Sequence, residues 1–150
     1  MSDRDVRTYA NDLPVYEFPG VAFTAPPRLS EAKVAIVTTA GLRTDGEQLW
    51  ARGDESFTVL AGTARDVRMA HASQNFDRSG FMADPNVVYP VDRLAELAAA
   101  GTIGSVAPRH LSFMGAQADQ RLSTIRLDSG PAAAGLLRAD GVDVVLLTPV

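Results

Sequence analysis

The chain contains no cysteine, which removes disulfides, thiolate metal sites and any thiol nucleophile from these 150 residues. Lysine is nearly absent as well: Lys33 stands alone, and the other basic residues are all arginine. With a net charge of −4 and no basic run, the sequence lacks the electrostatic footprint of a nucleic-acid binder. No apolar run approaches the roughly 20 residues that a membrane-spanning helix needs. The opening MSDRDVRTYANDLP is polar and mixed in charge, unlike a secretory signal. Together these absences lead us to expect a cytoplasmic protein that binds neither membrane nor nucleic acid. Only two histidines occur, His71 and His110, and their separation fits no standard metal-ligand spacing.

What is present is an ordinary globular composition, 46% hydrophobic and 21% charged, at a length suited to one domain. Residues 1–32 read as an extended, Pro-rich N-terminal arm. Pro14, Pro19, Pro26 and Pro27 oppose regular helix, and Tyr16, Phe18 and Phe23 offer apolar anchors. Residues 33–150 read as a single α/β domain. KVAIVTTAGL (33–42) is a strong strand running into a loop at Ala40-Gly41, and VAIVTT (34–39) and VDVVLLT (142–148) are strongly apolar, expected to be interior strands covered on both faces. SFTVL (56–60) and DVRMAHA (66–72) alternate, as half-buried strands do. PVDRLAELAAAG (90–101) is the clearest helix: Pro90 suits its first turn, Asp92 its positive end, and Gly101 its stop. GSVAPRHLSFMG (104–115) reads as a short strand or a turn-rich loop. Residues 122–138 read as helical, with Gly130-Pro131 a possible break. Strands alternating with helices imply a three-layer α/β sandwich with a mainly parallel, Rossmann-like or flavodoxin-like sheet. Its edge near the last strand should expose apolar surface and favour self-association.

Three blocks carry candidate chemistry. In TTAGL, Thr38, Thr39 and Gly41 form a small-residue loop after a strand, able to cradle a substrate carboxylate. The block is not a glycine-rich nucleotide fingerprint. In APRHLSFMG, Arg109 could clamp a carboxylate bidentately, His110 could transfer a proton, and Ser112 could donate a hydrogen bond. The competing reading is a turn set by Pro108 and Gly115. In HASQNFDRSG, His71, Asp77, Arg78 and Ser79 are polar and close in sequence, but equally describe a strand end with a surface ion pair. No serine sits in a nucleophile-elbow context.

The blocks KVAIVTTAGL, DESF, NFDRSG, DPNVVYPVDRLAEL, GTIGSVAPRHLSFMG and DGVDVVLLTPV occur in that order. As an ordered set, from Lys33 to Val150, they resemble the protein B family of glycine/betaine/sarcosine and D-proline reductases. The resemblance implies a scaffold portion of an oxidoreductase that reductively cleaves a carbon–nitrogen bond in a small amino acid or derivative, using a dithiol or selenol system. It implies a partner reductase subunit, one that can carry a pyruvoyl group, and a thiol or thioredoxin-type reductant. It also implies a selenocysteine or cysteine directly after a strand of the LLTPV kind, hence just beyond Val150; a UGA codon read as stop would end the chain there. No cofactor or metal is expected within these residues, and His110, Arg109, Ser112, Thr38, Thr39, Gly41, Asp77 and Arg78 are the expected site residues. Two alternatives stand beside this reading. One is a non-catalytic small-carboxylate-binding or subunit-assembly module, a homo-oligomer among its forms; the other is an acid–base enzyme built on His71, His110 and Asp77.

Overall fold

The structure, a computed structural model, describes residues 4, 5, 8, 20, 24–44, 49–73, 77–117 and 122–150. Most of the Pro-rich arm lies outside the described residues. Its last part, 24–28, is exposed and irregular and leads into a short 3-10 turn at Leu29–Glu31.

The fold is α/β around a curled, mostly parallel sheet. β1 (Lys33–Thr38) is its centre and is almost wholly buried, as its apolar run demands. Along one edge β1 pairs in parallel with β5 (Ser105–Val106) and then with β6 (Arg109–Phe113). Along the other it pairs in parallel with β7 (Val144–Thr148) through five consecutive residues. β3 (Phe57–Ala61) adds an antiparallel strand to the far side of β6. β2 (Leu42–Thr44) and β4 (Val67–Met69) form a separate two-stranded ribbon.

Alternate residues of β1 serve two cores. Val34 and Ile36 pack with Tyr89, Val91 and Leu94, the last two from α2 (Val91–Ala99). Ala35 packs with Leu111, Phe113, Ala133 and Leu137, where α4 (Gly130–Ala139) covers the opposite face. The short α1 (Ser79–Ala83) precedes α2, and Phe81 packs against the first core. The block expected as a short strand or loop, 104–115, instead supplies two strands that lie beside β1.

Gly130-Pro131 does not break the helical region into separate pieces. A helical turn, α3 (Leu122–Thr124), runs into a π turn at Ile125–Ser129 and on into α4. The Gly130 amide bonds to the carbonyl of Ile125, five residues back, and Pro131 then falls in the first turn of α4, where its missing N–H costs little.

One strand expectation is corrected. β7 is not interior but an edge strand: Val145, Leu146 and Leu147 are exposed, Leu147 at 68%. Among the described residues no strand pairs with its outer side. Apolar patterning reports that a strand is to be covered, and cannot by itself say which side lacks a neighbour.

Candidate functional site

Because β1, β6 and β7 are parallel, Thr38, Phe113 and Thr148 end on the same side of the sheet. The segments beyond them converge there. Val150 N–H donates to Thr39 Oγ1 at 2.8 Å, and Thr39 N–H donates to the Thr148 carbonyl at 3.2 Å. Thr38, fully buried, donates from Oγ1 to that same carbonyl at 3.2 Å and accepts the Ala40 amide at 3.1 Å. Gly41 takes φ +61° to turn the chain into β2, and a Cβ there would stand 3.1 Å from the Cα of His71. Thr38, Thr39 and Gly41 therefore do sit together at the carboxyl ends of the strands, where open parallel sheets bind ligands.

A cleft of about 510 Å³ opens beside them, lined by Val37, Thr39, Phe113, Gly115, Gln117 and Val150 among others. It is mainly apolar, with Thr39 and Gln117 as its polar side chains. Gln117 Nε2 donates to the carbonyls of Asp54 and Met114, at 2.6 and 3.0 Å. Its neighbour Ala116 holds φ +54°, the left-handed region that L residues enter only at a cost.

Arg109 and His110, two of the expected site residues, are not among the residues that line this cleft. Arg109 opens β6 and faces the turn before β7, and His110, the next residue, lies beside Ile36 in the middle of β1. Arg109 forms a bidentate pair with Asp140, Nε to Oδ2 at 2.7 Å and Nη2 to Oδ1 at 2.6 Å. The guanidinium fork is thus filled by a carboxylate of the chain itself. The pairing pulls the Asp140 carboxyl below its usual range.

His110 has no exposed surface. Its Nδ1 accepts the Ile36 amide at 3.0 Å, and its ring meets Tyr89 edge-on at 5.6 Å. The reason is a misfit in the ladder: Val34 faces Val106 but Val37 faces Leu111, so three steps along β1 match five along its partner. The imidazole fills the hydrogen-bonding gap left by the extra residues. Burial, with a smaller push from Arg65, lowers its pKa to about 4. Ser112, on the same face, accepts the Leu42 amide at 2.7 Å and is also fully buried. The geometry gives His110 and Ser112 backbone-bracing contacts away from the cleft.

Asp77 accepts both the amide and the hydroxyl of Ser79, each at 2.8 Å, at the start of α1; those bonds lower its pKa. Arg78 turns back to hold the carbonyls of His71, at 2.9 Å, and Ser73, at 2.6 Å. Asp92 joins Asn86 and Arg65 in a network at the start of α2.

The reading from residue types gave too little weight to His71 and to Gly115. A Cβ on Gly115 would lie 2.7 Å from the Thr39 carbonyl oxygen, 2.8 Å from His71 Nε2 and 3.0 Å from the Val150 carbonyl oxygen. Histidine beside a strand end and glycine after a buried strand were both visible signals. Their meeting was not, because 43 residues separate them.

No solved structure matches the chain. A relative, D-proline reductase subunit gamma from Acetoanaerobium sticklandii, is 34% identical over 138 residues. The match takes in 85% of this chain and 55% of the relative, so the chain spans about half the length of the curated relative it matches. The family model for glycine/sarcosine/betaine reductase selenoprotein B matches residues 4–150, nearly the whole length. The chain belongs to the glycine/sarcosine/betaine reductase selenoprotein B family.

Proposed function

We propose that the chain is a scaffold portion of a reductase that cleaves a carbon–nitrogen bond in a small amino acid or its derivative. Family membership, with a relative named as a D-proline reductase subunit, carries the reading. The crevice at Thr39, Gly115 and Val150 supports it, lying where parallel sheets place their chemistry. The overall change is two-electron: the carbon–nitrogen bond breaks, carbon and the leaving amine each gain hydrogen, and a dithiol or selenol–thiol pair ends joined sulfur to sulfur or selenium. These 150 residues contain no group able to carry the two electrons. A selenocysteine or cysteine is therefore supplied from outside them, in polypeptide following β7, and a pyruvoyl group on a partner subunit and a thioredoxin-type thiol complete the system. In the same reading the sheet is part of a three-layer, Rossmann- or flavodoxin-like sandwich.

The test is reconstitution. The protein combined with partner subunits and a dithiol should release amine from glycine, sarcosine or betaine, or open the ring of D-proline to a linear amino acid, and the 150-residue chain alone should not. Nucleotide sequence that continues after codon 150 with UGA or a cysteine codon supports this reading. No carbon–nitrogen cleavage in any of the four substrates counts against it. A second reading, a subunit-assembly module without catalysis, draws on the exposed edge of β7. Stable partner binding with no turnover favours it.

A further inference from the structure

The cleft beside Thr39 has two apolar walls. From the sheet come Val37, near the end of β1, and Phe113, at the end of β6, whose ring is held by Phe57 with centroids 5.4 Å apart. From the helical region come Leu122 and Ile125, both half-buried and three residues apart, hence on one side of their turn. Ile125 opens the π turn. That turn closes through the Gly130 amide on the Ile125 carbonyl, and a Cβ at Gly130 would collide with that carbonyl oxygen. Gly130 therefore sets where Ile125 stands, without lining the cleft itself. The volume, about 510 Å³, is that of a small-molecule site. Its two polar side chains are already engaged. The Thr39 hydroxyl is bonded to the backbone of Val150, and the Gln117 amide donates to the carbonyls of Asp54 and Met114. None of the described lining side chains carries a charge. Such a cleft favours the burial of hydrocarbon and compensates a buried carboxylate or ammonium poorly.

We propose that this cleft is a hydrocarbon subsite: Val37, Phe113, Leu122 and Ile125 take the ring or alkyl part of an amino-acid substrate and select such substrates over glycine. Gly130 is a positioning residue for Ile125. The charged ends of the substrate are met by groups other than these four. The inference rests on the function proposed above, which makes the ligand a small amino acid, and deepens it by naming the part that this chain recognises. Each methylene moved from water into such a site is worth about fourfold in affinity, so the three ring methylenes of D-proline are worth up to roughly fiftyfold over glycine.

The chain has three isoleucines, and two of them, Ile36 and Ile103, are sealed in the first core. An NMR titration of protein labelled at its isoleucine methyls therefore carries its own controls. The probes are D-proline, cyclopentanecarboxylate (a ring without nitrogen), glycine and acetate. Both ring-bearing probes should shift the Ile125 signal and leave Ile36 and Ile103 in place, while glycine and acetate at the same concentration should not. D-proline should bind about tenfold or more tighter than glycine. Ile125→Ala should lower the ratio of D-proline to glycine affinity severalfold, and Ile125→Val should largely keep it. If Ile125→Ala does not fold, Leu122→Ala reads the same ratio. Gly130→Ala should move the Ile125 signal in the free protein and lower the ratio as well, which a loss of stability alone would not do. Cyclopentanecarboxylate that leaves Ile125 unmoved overturns the inference even where D-proline binds. So does glycine that shifts Ile125 as strongly as the rings, or a ratio unchanged in the folded lining variant. Each of these leaves the reductase reading intact. Ring-dependent shifts at Ile125, without carbon–nitrogen cleavage by the reconstituted enzyme, support the subsite and count against the reductase.

Discussion

The Ile36 amide donates to Nδ1 of His110 across 3.0 Å in the middle of the sheet, where strand pairing slips out of step. A side chain that looked like a proton carrier is part of the backbone ladder. Two consequences can be measured.

The first is a pH dependence of stability. The folded pKa of His110 is about 4 against an unfolded value of 6.5, so the unfolded chain takes up its proton first. The contribution is therefore full above about pH 6.5 and is lost as pH falls towards 4. The shift corresponds to roughly 3 kcal/mol at this fully buried position. Chemical denaturation between pH 4 and 7 should show this decline, and His110→Asn should flatten it. Unchanged pH dependence in the variant counts against the assignment.

The second concerns the acceptor itself. His110→Leu leaves the Ile36 amide buried without a partner and should cost about 1–3 kcal/mol at neutral pH, apart from any change in packing. His110→Asn, with an oxygen acceptor, should cost less. Urea unfolding of both variants separates an acceptor role from simple space-filling.

The Arg109–Asp140 pair yields a prediction of the opposite kind. Both carboxylate oxygens are engaged and the pair is partly exposed, with the Arg109 side chain 36% accessible. Arg109→Lys loses the planar fork. It should lower the melting temperature modestly, because solvent screens such a pair. The affinity for small carboxylates should stay as it was, since Arg109 lies at the amino side of the sheet. A selective loss of carboxylate binding would restore Arg109 as a ligand clamp.

The edge of β7 should govern self-association. Leu147 is 68% exposed on a strand whose outer hydrogen-bonding side is unpaired among the described residues. Charge on an edge strand opposes edge-to-edge pairing. Leu147→Lys should therefore reduce association in light scattering at high protein concentration, with little change in the melting temperature. A parent chain that remains monomeric at the same concentration would contradict this.

At the crevice, Gly115→Ala places a methyl group within 3.0 Å of three atoms, two of them backbone oxygens that cannot easily yield. We expect displacement of His71 or of the segment at Val150, with lower stability and altered His71 NMR signals. If alanine leaves both unchanged, the close approach is not a constraint.

Much of the fold was legible in residue patterns because local rules governed it. The apolar run of β1 required burial, and of Val91, Leu94, Leu97 and Ala98, which share one face by their spacing, Val91 and Leu94 are buried while Leu97 is exposed. TTAGL announced a strand end and a tight turn, and the positive φ of Gly41 makes that turn. The blocks spread from Lys33 to Val150 also carried the family, which order and residue identity define without coordinates.

Where each polar group would go was settled by partners far away in sequence. Arg109 was equally suited to a substrate carboxylate or to Asp140, and proximity in the folded chain decided it. His110 could have been a proton carrier until the slip between β1 and β6 left an amide for it to accept. β7 had the composition of an interior strand, yet its outer side has no neighbour among the described residues. His71 is packed where Gly41 and Gly115 meet around it. Sequence determined which segments must be buried and which family they belong to, because apolar periodicity and residue order are properties of the chain alone. Only the tertiary structure decided which polar atoms are consumed in bracing the sheet and which stand at the cleft, because a hydrogen bond depends on distance and direction between groups that the chain brings together only when it folds.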